Sequence, residues 1–154
     1  MAGVTVVIDG EHLVLERGLG ALLRNATALT PAFKNIGEEW LASTKDRFSA
    51  EVAPDGTPWK PNAPATRARK RNPKILQEFG ERGGLLGSLA YAADDGGVEL
   101  GTPKVYGAIH QLGGKAGRNH AVAIPERPYL GVSEEDEEMM GEVLREHLLS
   151  YNRI

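Results

Sequence analysis

Apolar residues recur every three or four positions in two stretches of the N-terminal third, and each stretch predicts an amphipathic helix. The first is Glu11–Leu29, where leucines and Ala26 supply the apolar face. The second begins at Thr30-Pro31 and extends to about Ala50, because a hydroxyl N-cap followed by proline is typical of a helix start. Its stripe, expected to face a core, consists of Phe33, Ile36, Gly37, Trp40, Leu41, Thr44 and Phe48.

A third long helix is predicted near the other end of the sequence. Ser133 is its expected N-cap, and Asp136 lies three residues further on, close to the pattern of a capping box. The acidic residues of the first turn suit the positive end of the helix dipole. The stripe that we expect to be buried consists of Met139, Met140, Val143, Leu144, Leu148 and Tyr151.

Shorter elements are predicted outside these helices. Val4–Asp9 is rich in β-branched residues and bounded by glycines, which predicts a strand. Leu85–Ala93 and Val98–Gly101 flank the sequence Asp-Asp-Gly-Gly, which predicts a β-hairpin. Ala121–Ile124 predicts a brief strand, and Lys115–His120 before it predicts a loop.

Lys104–Leu112 predicts a short helix that ends at the Gly113-Gly114 pair. Its expected apolar face consists of Val105, Ala108, Ile109 and Leu112. The whole pattern predicts an α+β fold: two N-terminal helices, a long Pro-rich basic loop, a small antiparallel β-sheet and a C-terminal helix.

The Pro-rich loop covers residues 53–74 and contains five prolines. Because proline fixes φ and lacks an amide donor, neither a helix nor a central strand is expected there. The segment begins with a Pro-Asp-Gly turn and continues as a polar, basic stretch. A loop of this length is expected to be functional or mobile within an otherwise single domain spanning 1–154.

The net charge of −3 conceals an uneven layout. From Lys60 to Arg82 there are seven basic side chains against two acidic ones, a local charge of +5. From Glu134 to Glu146 there are seven acidic side chains against one basic one, a local charge of −6. This asymmetry indicates contacts with other surfaces, including other copies of the same chain.

Several classes of function lose support from the composition and the motifs. The chain has no cysteine, which excludes disulfides, thiolate metal sites and a cysteine nucleophile. The four histidines show no helical zinc spacing, Ser88 lacks the second glycine of a nucleophile elbow, and no phosphate-binding loop is present. We therefore expect no enzyme activity, no metal and no cofactor. With no apolar run long enough to span a bilayer and no signal-peptide pattern at Met1–Gly10, a cytoplasmic product is expected.

The basic loop leaves two alternatives open. It is either a solvated or protein-binding loop, which we favour, or a site of DNA contact. Its cationic side chains are Arg67, Arg69, Lys70, Arg71 and Lys74. Phosphate contacts by these groups would be salt-dependent, but the pI of about 5.8 is low for a dedicated nucleic-acid binder.

Four segments in order resemble the phage virion morphogenesis family, which includes Mu-like and tail-completion proteins of contractile-tailed phages. They are PDGTPWKP (Pro54–Pro61), GGLLGSL (Gly83–Leu89), LGTPKVYGAIHQLGG (Leu100–Gly114) and IPERPYLGVSEED (Ile124–Asp136). The family pattern usually has phenylalanine where this chain has Tyr129. The resemblance implies a non-enzymatic role in tail completion and head–tail joining in the host cytoplasm, with tail-tube and head-neck proteins as partners. A homo-oligomeric, six-fold ring is expected by analogy with tails.

The same segments supply the remaining candidate interaction residues. Trp59 lies in a proline-locked turn, where it either anchors the loop to the core, the favoured interpretation, or contacts a partner. Arg127 either packs structurally or pairs with an acid of its own or a neighbouring copy. For His110 and Gln111, hydrogen bonds that hold the glycine loop are favoured over a contact between subunits.

Overall fold

The computed structural model describes residues 20–77 and 83–150. The predicted strand Val4–Asp9, the first half of the predicted helix Glu11–Leu29, and Tyr151 lie outside these ranges. The helices are α1 (helical residues 20–27), α2 (Thr30–Ala50), α3 (Pro64–Arg69), α4 (Gly107–Leu112) and α5 (Glu134–Leu149). The strands are β1 (Ala90–Asp94), β2 (Gly97–Gly101), β3 (Gly114–Ala116) and β4 (Val122–Ile124). The α+β prediction is confirmed.

The strands form two separate antiparallel pairs instead of one small sheet. β1 pairs with β2 from Ala90↔Gly101 to Asp94↔Gly97, so the predicted hairpin forms at the predicted turn. Its first strand is shorter than predicted, because Leu86–Ser88 adopts a 3-10 turn. β3 pairs with β4, and it takes up part of the segment that was predicted as a loop.

The core lies where the C-terminal half of α2 meets the turn after it and the segment before α5. The ring of Phe48 stands edge-on to that of Trp59 at a centroid distance of 5.2 Å, and it contacts the ring of Tyr129 at 5.6 Å. The buried cluster consists of Phe48, Ala53, Trp59, Ile75, Leu76, Leu85, Leu86, Leu89 and Tyr129. α2 also packs against the β1–β2 hairpin and against α5, which makes it the central element of the described chain.

The start of α2 differs from the prediction. Leu29, not Thr30, occupies the N-cap position, and its side chain caps no amide. Thr30 instead donates from its backbone amide and its hydroxyl to Oδ1 of Asp95, at 2.9 and 2.6 Å. Both hydrogen bonds lower the pKa of the Asp95 carboxyl from its ordinary value, and the bond from the hydroxyl has the larger effect. The first turn of α2 is therefore tied to the hairpin turn.

The expectation that the Pro-rich loop contains no helix was wrong for residues 64–69, which form α3. Pro64 occupies the first turn, where the missing amide donor has no intrahelical partner to lose and the fixed φ is already helical. A proline cluster therefore prevents one continuous helix across the loop, but it allows a short helix to begin at a proline.

The predicted apolar faces of α4 and α5 are less buried than expected. Val105, which precedes α4, is 96% exposed, and Leu112 in its last turn is 73% exposed. Gly113 ends α4 as predicted, with a φ of 70°. In α5 the predicted stripe is half-buried within the described residues, and the buried residue is Asp136.

Candidate functional site

A buried ion pair joins the C-terminal half of α2 to the start of α5. Nη1 of Arg47 lies 2.7 Å from Oδ2 of Asp136, and the two side chains are 8% and 3% exposed. Nη2 of Arg47 donates to the hydroxyl of Thr44 at 2.8 Å and to the carbonyl of Gly131 at 3.1 Å. Because a buried cation is costly unless it is paired and hydrogen-bonded, these contacts fix how the two helices meet.

Asp136 also completes the predicted capping box of α5. Its Oδ2 accepts from the amide of Ser133 at 3.0 Å, and its own amide donates to the Ser133 hydroxyl at 3.1 Å. Burial alone would raise the pKa of the Asp136 carboxyl. The hydrogen bonds from Ser133, Ser43 and Arg47, with the Arg47 charge, outweigh that effect and lower the pKa below its ordinary value.

A cleft of about 890 Å³ opens beside this joint, between α2, the Pro-Asp-Gly turn and the start of α5. Leu130 and Val132 contribute apolar surface, and Val52, Ala53 and Pro54 add to it. The acidic side chains that line it are Asp46, Asp55, Glu134 and Glu135. The cation among the lining residues, Arg47, is buried and already paired. The site therefore combines an apolar floor with a negatively charged rim, a combination that is suited to a partner that is both apolar and basic.

The structure brings Trp59, His110, Gln111 and Arg127 together around the segment Glu126–Leu130. The indole nitrogen of Trp59 donates to the carbonyl of Pro128 at 2.8 Å, and the residue is 5% exposed. Such burial with a satisfied donor is the arrangement of an anchor. The backbone amide of Arg127 donates to the carbonyl of His110 at 2.8 Å, and the ring of Tyr106 stands edge-on to the His110 ring at 6.1 Å.

Gln111 holds the chain before α5 through three hydrogen bonds. Its Oε1 accepts from the amides of Tyr129 and Leu130, at 3.0 and 2.9 Å. Its Nε2 donates to the carbonyl of Leu130 at 2.9 Å. One amide side chain therefore satisfies backbone groups that no strand pairs.

Arg127 faces its own chain rather than an acid in the part of the chain that the structure describes. Its Nε and Nη2 donate to the carbonyls of Lys60 and Pro61 at 2.7 and 3.0 Å. Burial lowers the pKa of the guanidinium, and the negative charge of Glu51 partly opposes this shift. The residue thus fastens the segment before α5 to the Pro-rich loop.

The basic side chains from Arg67 to Lys74 divide into two groups. Nζ of Lys70 donates to the carbonyl of Lys74 at 2.9 Å, and Nζ of Lys74 donates to the carbonyl of Ser49 at 2.9 Å. Arg67, Arg69 and Arg71 are exposed, and no hydrogen bond or ion pair to another described residue involves their side chains. Between Arg67 and Lys74, the three arginines are therefore the cations whose side chains no described residue engages.

A second groove, of about 340 Å³, lies between α3, Tyr106 and β4. Its wall includes Val122, Lys70 and Asn62, whose buried Nδ2 has no hydrogen-bond partner among the described residues. Pro125 and Arg127 face this groove, whereas Pro128 and Leu130 face the acidic cleft. The two concavities thus lie on either side of the segment before α5.

Arg47 is a site residue that the sequence pattern did not predict. Its signal was weak: a cation one residue from the buried stripe of α2, with an acidic partner 89 positions away. Within the described ranges, no cluster of three or more His, Asp or Glu side chains is placed to hold a metal ion. No described helix has the length and apolar character needed to cross a bilayer.

The model of the phage virion morphogenesis family matches residues 11–149, so the chain belongs to this family. This family is one of phage virion morphogenesis and is not an enzyme class. Over 53 residues the chain is 45% identical to the Mu-like prophage FluMu G protein 2 of Haemophilus influenzae. That similarity covers 34% of this chain and 38% of the relative, well under two thirds of the relative's length. No solved structure matches the chain.

Proposed function

We propose that the protein is a non-enzymatic factor for tail completion and head–tail joining, and that it acts as a homo-oligomeric ring. It would act in the cytoplasm of the bacterial host during phage assembly, and it would contact tail-tube and head-neck proteins. The observation that carries the proposal is the separation of charge on one chain. Exposed arginines on and beside α3 contrast with exposed acids on the first turn of α5.

Separated charges of opposite sign support a head-to-tail arrangement. When one face of a copy complements a different face of the next, the contact is heterologous, and such contacts close into a ring when the rotation between copies allows it. Hydrogen bonds within the chain add to this support. Trp59, Gln111 and Arg127 fix the segment between the two concavities, so the surfaces would be preorganised before a partner arrives.

The test is genetic. An early stop codon in the gene, within its phage or prophage, is followed by induction and negative-stain electron microscopy of the lysate. Full heads beside unjoined or over-long tails are the expected outcome, and tail length distinguishes a failure of joining from a failure of termination. A matched silent substitution at the same codon is the control. Normal infectious particles from the stop-codon phage would remove the proposal.

A DNA-contacting connector is the second candidate, and the three outward arginines favour it. A filter-binding assay with double-stranded DNA across salt concentrations tests it, because each phosphate contact adds to the salt slope. The variant Arg67→Ala/Arg69→Ala/Arg71→Ala should bind more weakly and with a shallower slope. The control Lys34→Ala/Lys45→Ala/Lys115→Ala removes the same charge from other exposed sites. Equal binding by both variants, or no binding at low salt, would exclude the candidate.

A further inference from the structure

The loop between β2 and α4 presents an apolar tip that nothing in the described chain covers. Val105 is 96% exposed, and Lys104 beside it is exposed as well. An isolated exposed valine would need no explanation. Val105, however, is next to Tyr106, which is 42% exposed and lines the second groove with the 52% exposed Val122. The tip therefore extends an apolar surface and carries a cation at its edge.

The acidic cleft has the complementary character. Leu130 and Val132 form part of its floor, and Val132 is 41% exposed. Among the described residues, four carboxylates line it, and the cation in its lining, Arg47, is neutralised by Asp136. An apolar side chain next to a lysine complements this site. The apolar side chain can pack against the apolar residues of the cleft, and the carboxylates can pair with the ammonium group.

We propose that the Lys104–Val105 tip of one copy docks into the acidic cleft of the next copy. The tip and the cleft share no residue. Tyr106 lines the second groove, which lies across the Glu126–Leu130 segment from the cleft. A copy bound at its cleft thus keeps its own tip available. This inference rests on the homo-oligomer proposed above and specifies the surfaces that form it.

A second basic feature of the chain, the three arginines on and beside α3, fits the cleft less well. Arg67, Arg69 and Arg71 would satisfy the carboxylates but bring no apolar side chain to Leu130 and Val132. The proposal would be overturned if copies still associated after substitution of Val105 and Lys104 but no longer associated after substitution of these arginines. The arginines would then form the contact with the cleft.

The test is a mixing experiment on the purified full chain, read by analytical ultracentrifugation. Val105→Asp destroys the tip and leaves the cleft intact, whereas Val132→Asp destroys the cleft floor and leaves the tip intact. Each variant alone should associate more weakly than the wild type by about tenfold or more, since each places a carboxylate in the acidic contact. Mixed in equal amounts, they should form a complex of two chains that grows no further.

Leu23→Asp is the matched control, because Leu23 is 61% exposed and belongs to neither surface. Circular dichroism and a thermal melt check that each variant folds. If Val132→Asp does not fold, Glu134→Lys/Glu135→Lys replaces it, and combining that pair with Lys104→Glu should restore association. Wild-type monomers at high concentration, unchanged association of Val105→Asp, or a mixture that forms no two-chain complex would overturn the proposal.

Failure here and failure of the proposed function are distinguishable. A stop-codon phage that makes normal particles removes the role in tail completion even if the tip and cleft bind each other. Unjoined heads and tails, together with an oligomer that Val105→Asp leaves intact, would keep the function and remove only this contact.

Discussion

Trp40 and Arg47 lie seven positions apart on α2 and donate to the same acceptor, the carbonyl oxygen of Gly131, at 2.9 and 3.1 Å. α2 therefore holds the turn before α5 at two points along its length. Gly131 has a φ of 154°, and a Cβ built there would lie 2.6 Å from Cγ of Pro54. The site requires glycine for both reasons, since the backbone conformation and the close approach each exclude a side chain.

Replacing Asp136 by Asn should destabilise the protein by about 3 kcal/mol, because it leaves the buried Arg47 cation without its counter-charge. Urea unfolding measures the difference. Arg145→Ala is the control, because it removes an ion pair whose side chains are 64% and 59% exposed, and exposed pairs contribute under about 1 kcal/mol. Equal effects of the two substitutions would contradict the assignment of the joint to the Arg47–Asp136 pair.

The contribution of this pair should depend on pH in a defined direction. The folded-state pKa of Asp136 lies below its ordinary value of 3.8, so the stabilisation is complete above that value and is lost as the pH falls through the folded pKa. The difference in unfolding free energy between wild type and Asp136→Asn should be constant from about pH 7 to about pH 5 and shrink below about pH 4. Exposed carboxylates cancel because both proteins carry them. A difference that persisted at lower pH would show that charge is not its cause.

Gly37→Ala should destabilise the protein even though alanine is the better helix former. A Cβ built on Gly37 lies 2.7 Å from Cγ of Tyr91 and closer still to two other ring carbons, so overpacking should cost about 1–3 kcal/mol. Gly141 in α5 is the matched control, because no atom of the described residues lies within 4 Å of a Cβ there. Gly141→Ala should stabilise by about 0.5–1 kcal/mol. Thermal melts of both variants decide the point, and two changes of the same sign would contradict it.

Gln111→Ala should destabilise the protein by about 2 kcal/mol, since it leaves two amides and a carbonyl of residues 129–130 without their side-chain partner. Gln111→Glu keeps the acceptor for the two amides but sets an oxygen against the carbonyl of Leu130. Its loss of stability should therefore be smaller than that of the alanine variant but measurable. Urea unfolding of the three proteins gives the order, and a glutamate variant as stable as the wild type would show that the Nε2 bond contributes nothing.

The elements that the sequence predicts well are those whose signals are local. The α2 stripe and the turn before β2 depend on residue spacing and on turn-forming glycines, and both occur where expected. The capping box of α5 is equally local, because Ser133 and Asp136 are three residues apart. The order of motifs was likewise sufficient to identify the family.

The missed features depend on partners that are distant in sequence. Thr30 fits the pattern of an N-cap, but the Asp95 carboxylate, 65 positions away, takes its hydroxyl as a donor. Arg47 fits the sequence pattern of a surface residue, but in the structure its charge is paired with that of Asp136. Val105 and Leu112 fit the pattern of a buried face, yet they are exposed, because α4 begins only at Gly107, after Val105, and ends at Leu112. In each case the partner or the burial of the side chain depends on tertiary contacts, and residue spacing carries no information about those contacts.

One oxygen atom performs two tasks at the start of α5. Oδ2 of Asp136 accepts from the Ser133 amide, a bond that a short peptide could form, and from Arg47, a bond that requires α2 to be in place. Helix initiation and helix docking thus depend on the same acceptor. As the chain folds, the first turn of α5 should remain frayed until α2 arrives and should then become ordered together with it. We expect the amides of this turn to gain protection from hydrogen exchange in the same kinetic phase as the C-terminal half of α2.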